Sequence, residues 1–558
     1  MHRREFLQGL ALASISGSLA APAVAGISMP LYRLPERKRV ASLIHLTDCH
    51  AQLLPVHHRE PSINIGVGES AGRSAHLTGE ALLQHYGLRH GSRLAHAFTH
   101  LDFEVLARRY GKMGGFAHLA TLVKLIQSQR PGAILVDGGD SWQGSATALW
   151  TRGADMVAAS KLLGVKVMTG HWEFTLGAER VMELIQRDMP GSIDFIAHNV
   201  FTRDFGDRVF SPFAVKEIAG MEVAIIGQAY PYTPIANPQY LIPDWTFGIH
   251  EQSLRETIEE VRKLKVAAVV LLSHNGIDVD LKLAGRVEGL TAILGGHTHD
   301  ALPKPIRVKN HGGETLVANG GSNGKFIGVL DIFSSRGKTA CDYSLLPVFS
   351  NLLEPDAEMA ALIAQVRQPF EHALGQVLAV TDDLLYRRGN FNGSFDELIL
   401  DALQQSLDAE IALSPGFRWG TTLLPGSAIT FEDVMAQTAI TYPGVTLRSI
   451  SGAELKSALE DISDNLFNPD PYYRQGGDMV RTGRLTYACN PRAAIGRRIE
   501  DMRINSNPVE ADKLYRVASW ASVTESGLDS TPMWEILKNH LRSKRKVGRV
   551  RVNTPMLI

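Results

Sequence analysis

Five short apolar runs in this chain each end in an aspartate or a histidine. VASLIHL is followed by Thr47-Asp48-Cys49-His50, GAILVD by Gly138-Gly139-Asp140, and VKVMTG by His171-Trp172-Glu173-Phe174. AAVVLLS is followed by His274-Asn275-Gly276, and LTAILGG by His297-Thr298-His299. Runs of this length, bounded by glycine and polar residues, read as buried strands. From Arg39 to about Phe333 they alternate with helical patterns such as GGFAHLATLVKLIQSQ and QSLRETIEEVRKLK. That alternation predicts a layered α/β domain, sandwiched mixed sheets included. Loops at the carboxyl ends of such strands build sites, so the five polar clusters are expected to converge. A lone histidine after a strand is usually a hydrogen-bonded structural residue, and Asp-x-His is common by chance. Together the clusters supply two carboxylates and five histidines, more than one metal needs, which predicts two.

At 558 residues the chain exceeds a single typical core. Residues 39–345 read as this α/β domain, with residues from about 51 to 112 as an elaboration lacking a clean period. The segment 346–378 reads as a connector whose helix, from Glu354 to about Leu378, is interrupted near Pro369. From 379 to 558 the pattern changes to a separate α+β domain. Residues 1–25 read as an export signal, with Arg3 and Arg4 ahead of Phe6-Leu7, a short apolar stretch and a small-residue end. The paired arginines look like a twin-arginine signal, which implies export of a folded protein to the periplasm. No later stretch is apolar enough for a membrane anchor.

A net charge of −1 gives no basic field and argues against broad nucleic-acid binding. Three cysteines make no disulfide framework, and spacing leaves a Cys341–Cys489 pairing open. Cys49 is expected to point away from its ligand neighbours if strand geometry continues, as a small buried thiol. His57 and His58 are expected either to line an entrance or to be exposed.

The order Asp-x-His, Gly-Gly-Asp, Gly-x-x-Glu, Ser-His-x-Gly and Gly-His-x-His resembles the calcineurin-like metallophosphoesterase superfamily. Its 5′-nucleotidase branch fits best, because members carry a second domain over the site. The resemblance implies an α/β-sandwich catalytic domain followed by an α+β 5′-nucleotidase-type substrate domain. It also implies that Asp48, His50, Asp140 and His299 hold one metal, and that Asp140 bridges to a second held by His171, His274 and His297. Such a pair would polarise the substrate and activate hydroxide near neutral pH.

The pattern breaks where 5′-nucleotidases read Gly-Asn-His-Glu followed by Phe-Asp. Here Gly170-His171-Trp172-Glu173 is followed by Phe174-Thr175, so the catalytic His–Asp pair becomes Trp172 and Thr175. Trp donates one hydrogen bond but exchanges no proton near pH 7. TDCHAQLLPVHHREPSINIG, the long insertion after it and TGHWEFTLG resemble the SoxB thiosulfohydrolase family. That resemblance implies release of sulfate from a cysteine S-thiosulfonate on the carrier protein SoxYZ, with two Mn²⁺ ions; the residue types alone suit zinc or iron equally. It places Asp140, Trp172 and Arg418 at the reaction, Arg418 as a sulfonate ligand. Arg474 and Arg481 lie in stretches matching the same pocket. A 5′-nucleotidase-like phosphoesterase is the alternative reading, and a non-catalytic docking protein a third.

Overall fold

Val40–Leu46 is buried along almost its whole length rather than on alternate residues, as a central strand covered on both faces must be. It pairs in parallel with Ile134–Asp137 and antiparallel with Phe326–Ser335, Val40 lying opposite Phe333 and His45 opposite Gly328. Val165–Met168, Asp194–Phe195 and Lys338–Pro347 complete a six-stranded mixed sheet. A second six-stranded sheet runs in the order Ile306–Asn310, Gly313–Asn319, Ala292–Gly295, Ala268–Ser273, Met221–Gln228, Phe213–Ile218. Its middle strands are parallel. The result is a two-sheet α/β sandwich. Helix Phe116–Gln129 buries Phe116, Leu119, Leu122, Val123 and Ile126, and Glu251–Lys263 buries Leu254, Ile258 and Val261, the 3–4 spacing of an amphipathic helix.

This computed structural model describes residues 30–335, 337–524 and 530–558. It divides into two units, Met1–Glu36 and Arg37–Ile558. Among its described residues the first has a turn at Pro30–Tyr32, and the signal expected over residues 1–25 lies outside the described residues.

The segment 51–112 contains three α-helices, Gly79–Tyr86, Arg93–Phe98 and Phe103–Tyr110. None exceeds eight residues, about two turns, too short for a period to register in sequence. Helix Ala357–Arg367 stops before Pro369, and a short turn of helix Glu371–Leu374 follows. Beyond it, one three-stranded and two four-stranded sheets pack with helices Ser394–Leu407, Phe431–Thr438, Gly452–Phe467 and Met533–Lys544. Two of these helices begin at capping boxes legible in sequence, Thr430 with Asp433 and Ser451 with Glu454. All three cysteines are buried and free, so Cys341 and Cys489 do not pair.

Candidate metal centre

Asp48, Asp140 and His171 leave strands of the first sheet, while His274, His297 and His299 leave strands of the second. Five of the seven predicted ligands turn sharply: Asp48, His50, Asp140, His297 and His299 have φ of 51°, 46°, 58°, 70° and 59°. Such left-handed positions cost non-glycine residues on the order of 1 kcal/mol or more each and persist only where surroundings over-determine them. Here the ligand loops are bonded to one another: Asp48 N–H to Gly139 O and His50 N–H to Asp140 O, both 2.8 Å, and Asn323 N–H to Asp48 O, 2.8 Å. Gly144 permits the close approach. With φ of 126°, it stands where a Cβ would lie 2.5 Å from the His50 carbonyl oxygen.

These turns bring all seven side chains together, buried. Among the described residues, Asp48, His50, Asp140 and His299 form one group and Asp140, His171, His274 and His297 another, with the potential ligand atoms of each within 4.8 Å of one another. Asp140 is common to both. His274 Nε2 lies 3.2 Å from Asp140 Oδ2 and 3.7 Å from Asp48 Oδ1, and His299 Nε2 lies 3.3 Å from Asp48 Oδ1. Outer contacts aim the rings. His274 Nδ1 donates to Gly138 O at 2.6 Å, leaving Nε2 facing the carboxylates. Trp172 N–H donates to Asp140 Oδ1 at 2.8 Å, and His297 N–H to Asp48 Oδ1 at 3.0 Å.

Charge and burial fit the group to cations. Burial pushes His171 down to about 4 and also lowers His50, His297 and His299, so these four rings are neutral, as ligands must be. Burial would raise the Asp140 carboxyl, but His171 and His274 beside it hold it well below the usual range. Burial would likewise lower His274, yet Asp140 and Asp48 raise it to about 10. His297 Nδ1 lacks a hydrogen-bond partner, and His50 Nε2 and His299 Nε2 face each other at 2.9 Å beside Asp140 and Asp48, where neutral rings can share at most one proton. Buried ring nitrogens without partners are costly unless a metal takes them. The set accordingly fits two metal ions.

A cavity of about 180 Å³ opens beside these groups, walled by Trp172, Tyr230, Phe417, Arg418, Trp419 and Gly476. A larger cavity of about 390 Å³, lined by His57, Lys112 and Thr421, contains none of the seven side chains, so volume does not identify the site. Trp172 is held edge-on by Trp419 and Phe417, at 4.8 and 5.3 Å between ring centres, and Thr175 spends its hydroxyl on the Trp172 carbonyl at 2.7 Å. Arg418 donates to Gly477 O and its Nε lies 3.5 Å from Asp478 Oδ1, while its Nη1 lacks a hydrogen-bond partner in a cavity wall.

Several expectations are corrected. Strand geometry ends at Leu46, so alternation does not place Cys49. Its thiol is fully buried, and burial together with Asp137 and Asp48 pushes it well above the usual range. Arg481 is absent from the cavity lining and wholly buried, bonded to Asp478 and the Phe391 carbonyl. Arg474 also lies outside that lining, bonded to Asp278 and Ser70. His58 is neither entrance nor surface: it is buried against Gly420 O at 3.1 Å.

Some contributors went unassigned in the sequence. Glu173 is fully buried and accepts N–H bonds from Ser141, His171 and Asp140 at 2.7, 2.8 and 3.2 Å, joining two ligand loops. Its place in Gly-x-x-Glu was the available signal. Tyr230 packs on His171 and His297 at 4.0 and 4.2 Å, and Trp419 stacks on His50 at 5.7 Å. Arg388 donates to Thr298 O, between two ligands, at 3.0 Å.

Fold and site together define a hydrolase of the 5′-nucleotidase type of metallophosphoesterase. A family profile described as 5′-nucleotidase, C-terminal domain, matches residues 377–535. The rat 5′-nucleotidase is 23% identical over 453 residues, 73% of this chain and 76% of that protein. The 5′-nucleotidase precursor of Thermus thermophilus shares the fold, with a TM-score of 0.73 and 21% identity over 93% of this chain and 99% of that one. The Thermus thermophilus sulfate thiohydrolase SoxB, solved with glycerol, superposes with a TM-score of 0.89 and 35% identity, over 94% of this chain and 98% of that one. The chain belongs to the SoxB family.

Proposed function

We propose that this protein hydrolyses a cysteine S-thiosulfonate on a carrier protein, releasing sulfate and leaving the carrier's persulfide. The observation that carries the reading is the cavity wall. Trp172 stands where a phosphomonoesterase of this fold carries its histidine, and the hydroxyl of Thr175 is spent on the Trp172 carbonyl. The wall thus offers a rigid aromatic surface in place of a proton donor. An alkoxide leaving group needs a donor. A persulfide does not: even an ordinary thiol has a pKa of about 8.5, against about 15.7 for water. The seven Asp/His side chains would hold two divalent ions, which would supply Lewis-acid charge and acidify water near neutral pH. The unpartnered Nη1 of Arg418 would hold a sulfonate oxygen, and the Trp172, Phe417 and Trp419 rings would pack the sulfur chain and exclude water. We further propose manganese as the metal pair, SoxYZ as the carrier, and the periplasm, reached by twin-arginine export, as the compartment; the SoxB likeness and the arginine pair at residues 3 and 4 support these.

The test is a single turnover of thiosulfonate-loaded carrier in ¹⁸O-water. Each sulfate should contain one solvent oxygen, and unlabelled sulfate would exclude attack at the terminal sulfur. Trp172→Phe should stay within about tenfold of wild-type kcat/KM, about 1.4 kcal/mol, because no proton passes through the indole. A near-total loss with both metals retained would assign the indole N–H a role. The 5′-nucleotidase likeness of the C-terminal half supports a second reading, a nucleotide phosphoesterase. Turnover of 5′-AMP at a rate matching sulfate release would favour it.

A further inference from the structure

The carbonyl of Gln475, from the C-terminal half, lies 3.0 Å from His297 Nε2, while His297 Nδ1 has no hydrogen-bond partner. A carbonyl only accepts, so this contact puts the proton on Nε2 and leaves the Nδ1 lone pair facing the metal group. Gln475 belongs to a segment, residues 468–478, laid across the N-terminal half. Lys282 donates to Asp470 at 2.5 Å, the Tyr232 hydroxyl to the Tyr472 carbonyl, and the Tyr472 hydroxyl to Glu251 at 2.8 Å. Tyr230, packed on His171 and His297, donates its hydroxyl to the same Gln475 carbonyl.

Arg474 is the centre of this attachment. Its guanidinium donates to Asp278, to Ser70 Oγ at 3.0 Å, to the Val67 carbonyl at 3.0 Å and to the Asn468 carbonyl at 2.6 Å. One buried side chain thereby joins the insertion, the catalytic sandwich and the C-terminal half, one residue before the carbonyl that meets His297. Gly476 follows with φ of 75°, and a Cβ there would lie 2.5 Å from His297 Nε2. The backbone approaches the ring as closely as it does only because no side chain intervenes.

We propose that residues 468–478 are a strap through which the C-terminal half orients His297, with Arg474 as the positioning residue that seats it. Retention of one metal, that of the Asp140, His171, His274 and His297 group, then depends on the strap, and retention of the other does not. The inference rests on the two-metal reading of the site.

The test is equilibrium dialysis of the full-length protein against Mn²⁺ alone, read as two binding affinities. Arg474→Ala should weaken one ion by about 10–100-fold, the usual cost of losing an outer partner of a ligand, and leave the other unchanged. Gly476→Ala keeps Arg474 and should weaken the same ion. His297→Ala should release that ion, and Arg474→Ala added to it should have no further effect. Equal weakening of both ions, or of neither, in Arg474→Ala and Gly476→Ala would overturn the strap. Retention of both ions by His297→Ala would instead overturn the ligand assignment beneath it.

Discussion

Asp140→Asn should give a folded protein that holds neither metal tightly and loses at least a thousandfold in kcat/KM, roughly 4 kcal/mol or more of transition-state stabilisation. Asp140 is the one side chain common to both ligand groups, so its charge serves two ions at once. The amide keeps the size of the side chain and an acceptor for the Trp172 N–H, now at 2.8 Å. Loss of fold is therefore separated from loss of charge. His50→Ala should instead weaken one ion, because His50 belongs to a single group. Metal content after dialysis and sulfate release on the same samples check both. One full-strength ion remaining in Asp140→Asn would disprove the bridge.

Lys325→Met should cost about 3–5 kcal/mol of stability, the usual result of removing one partner of a buried pair. Lys325 is 1% exposed and donates to Glu60, to His58 O at 3.2 Å and to Ala97 O at 3.1 Å. Burial would raise the Glu60 carboxyl, but Lys325 beside it holds it below the usual range. Without the ammonium, burial, the largest influence, is opposed only by His58 and Arg388 and raises it above its unfolded value. A folded pKa above the unfolded one favours folding at low pH, and that contribution is lost as pH rises. Urea unfolding should accordingly show a larger deficit for Lys325→Met at pH 8 than at pH 5. Lys325→Met combined with Glu60→Leu should recover at least half the loss, since no uncompensated charge remains. A deficit independent of pH and unrelieved in the double variant would point to packing instead of charge.

The seven Asp/His residues were legible because each directly follows an apolar run, and strand ends in α/β folds gather at one edge. The turns that aim them were not. Nothing in Thr-Asp-Cys-His announces positive φ at Asp48 and His50, and so the alternation argument for Cys49 failed in its premise. Glu173 escaped assignment because its partners are backbone N–H groups of another loop, which any residue supplies. The arginines show the same limit from the opposite side. Arg418, Arg474 and Arg481 look alike beside glycines and aromatics. What separates them is the company each keeps: Asp278, nearly two hundred positions away, claims Arg474, Asp478 with the Phe391 carbonyl claims Arg481, and Arg418, 3.5 Å from the same Asp478, alone keeps its Nη1 for the cavity.

The position of Val40–Leu46 between two neighbours has a consequence during synthesis. One neighbour, Ile134–Asp137, emerges early, but the other pairs Phe333 with Val40. At about 5–20 residues per second, a ribosome takes roughly 15–60 s to make the chain between those two residues. Throughout that interval VASLIHL presents an open, apolar edge, the kind of surface that templates wrong pairing. His274, His297 and His299 are also still to come for most of it, so Asp48 and His50 wait beside that edge with an incomplete donor set. The hazard for this protein thus lies in its birth, where a chaperone covering residues 40–46 would protect the metal centre before any metal has arrived.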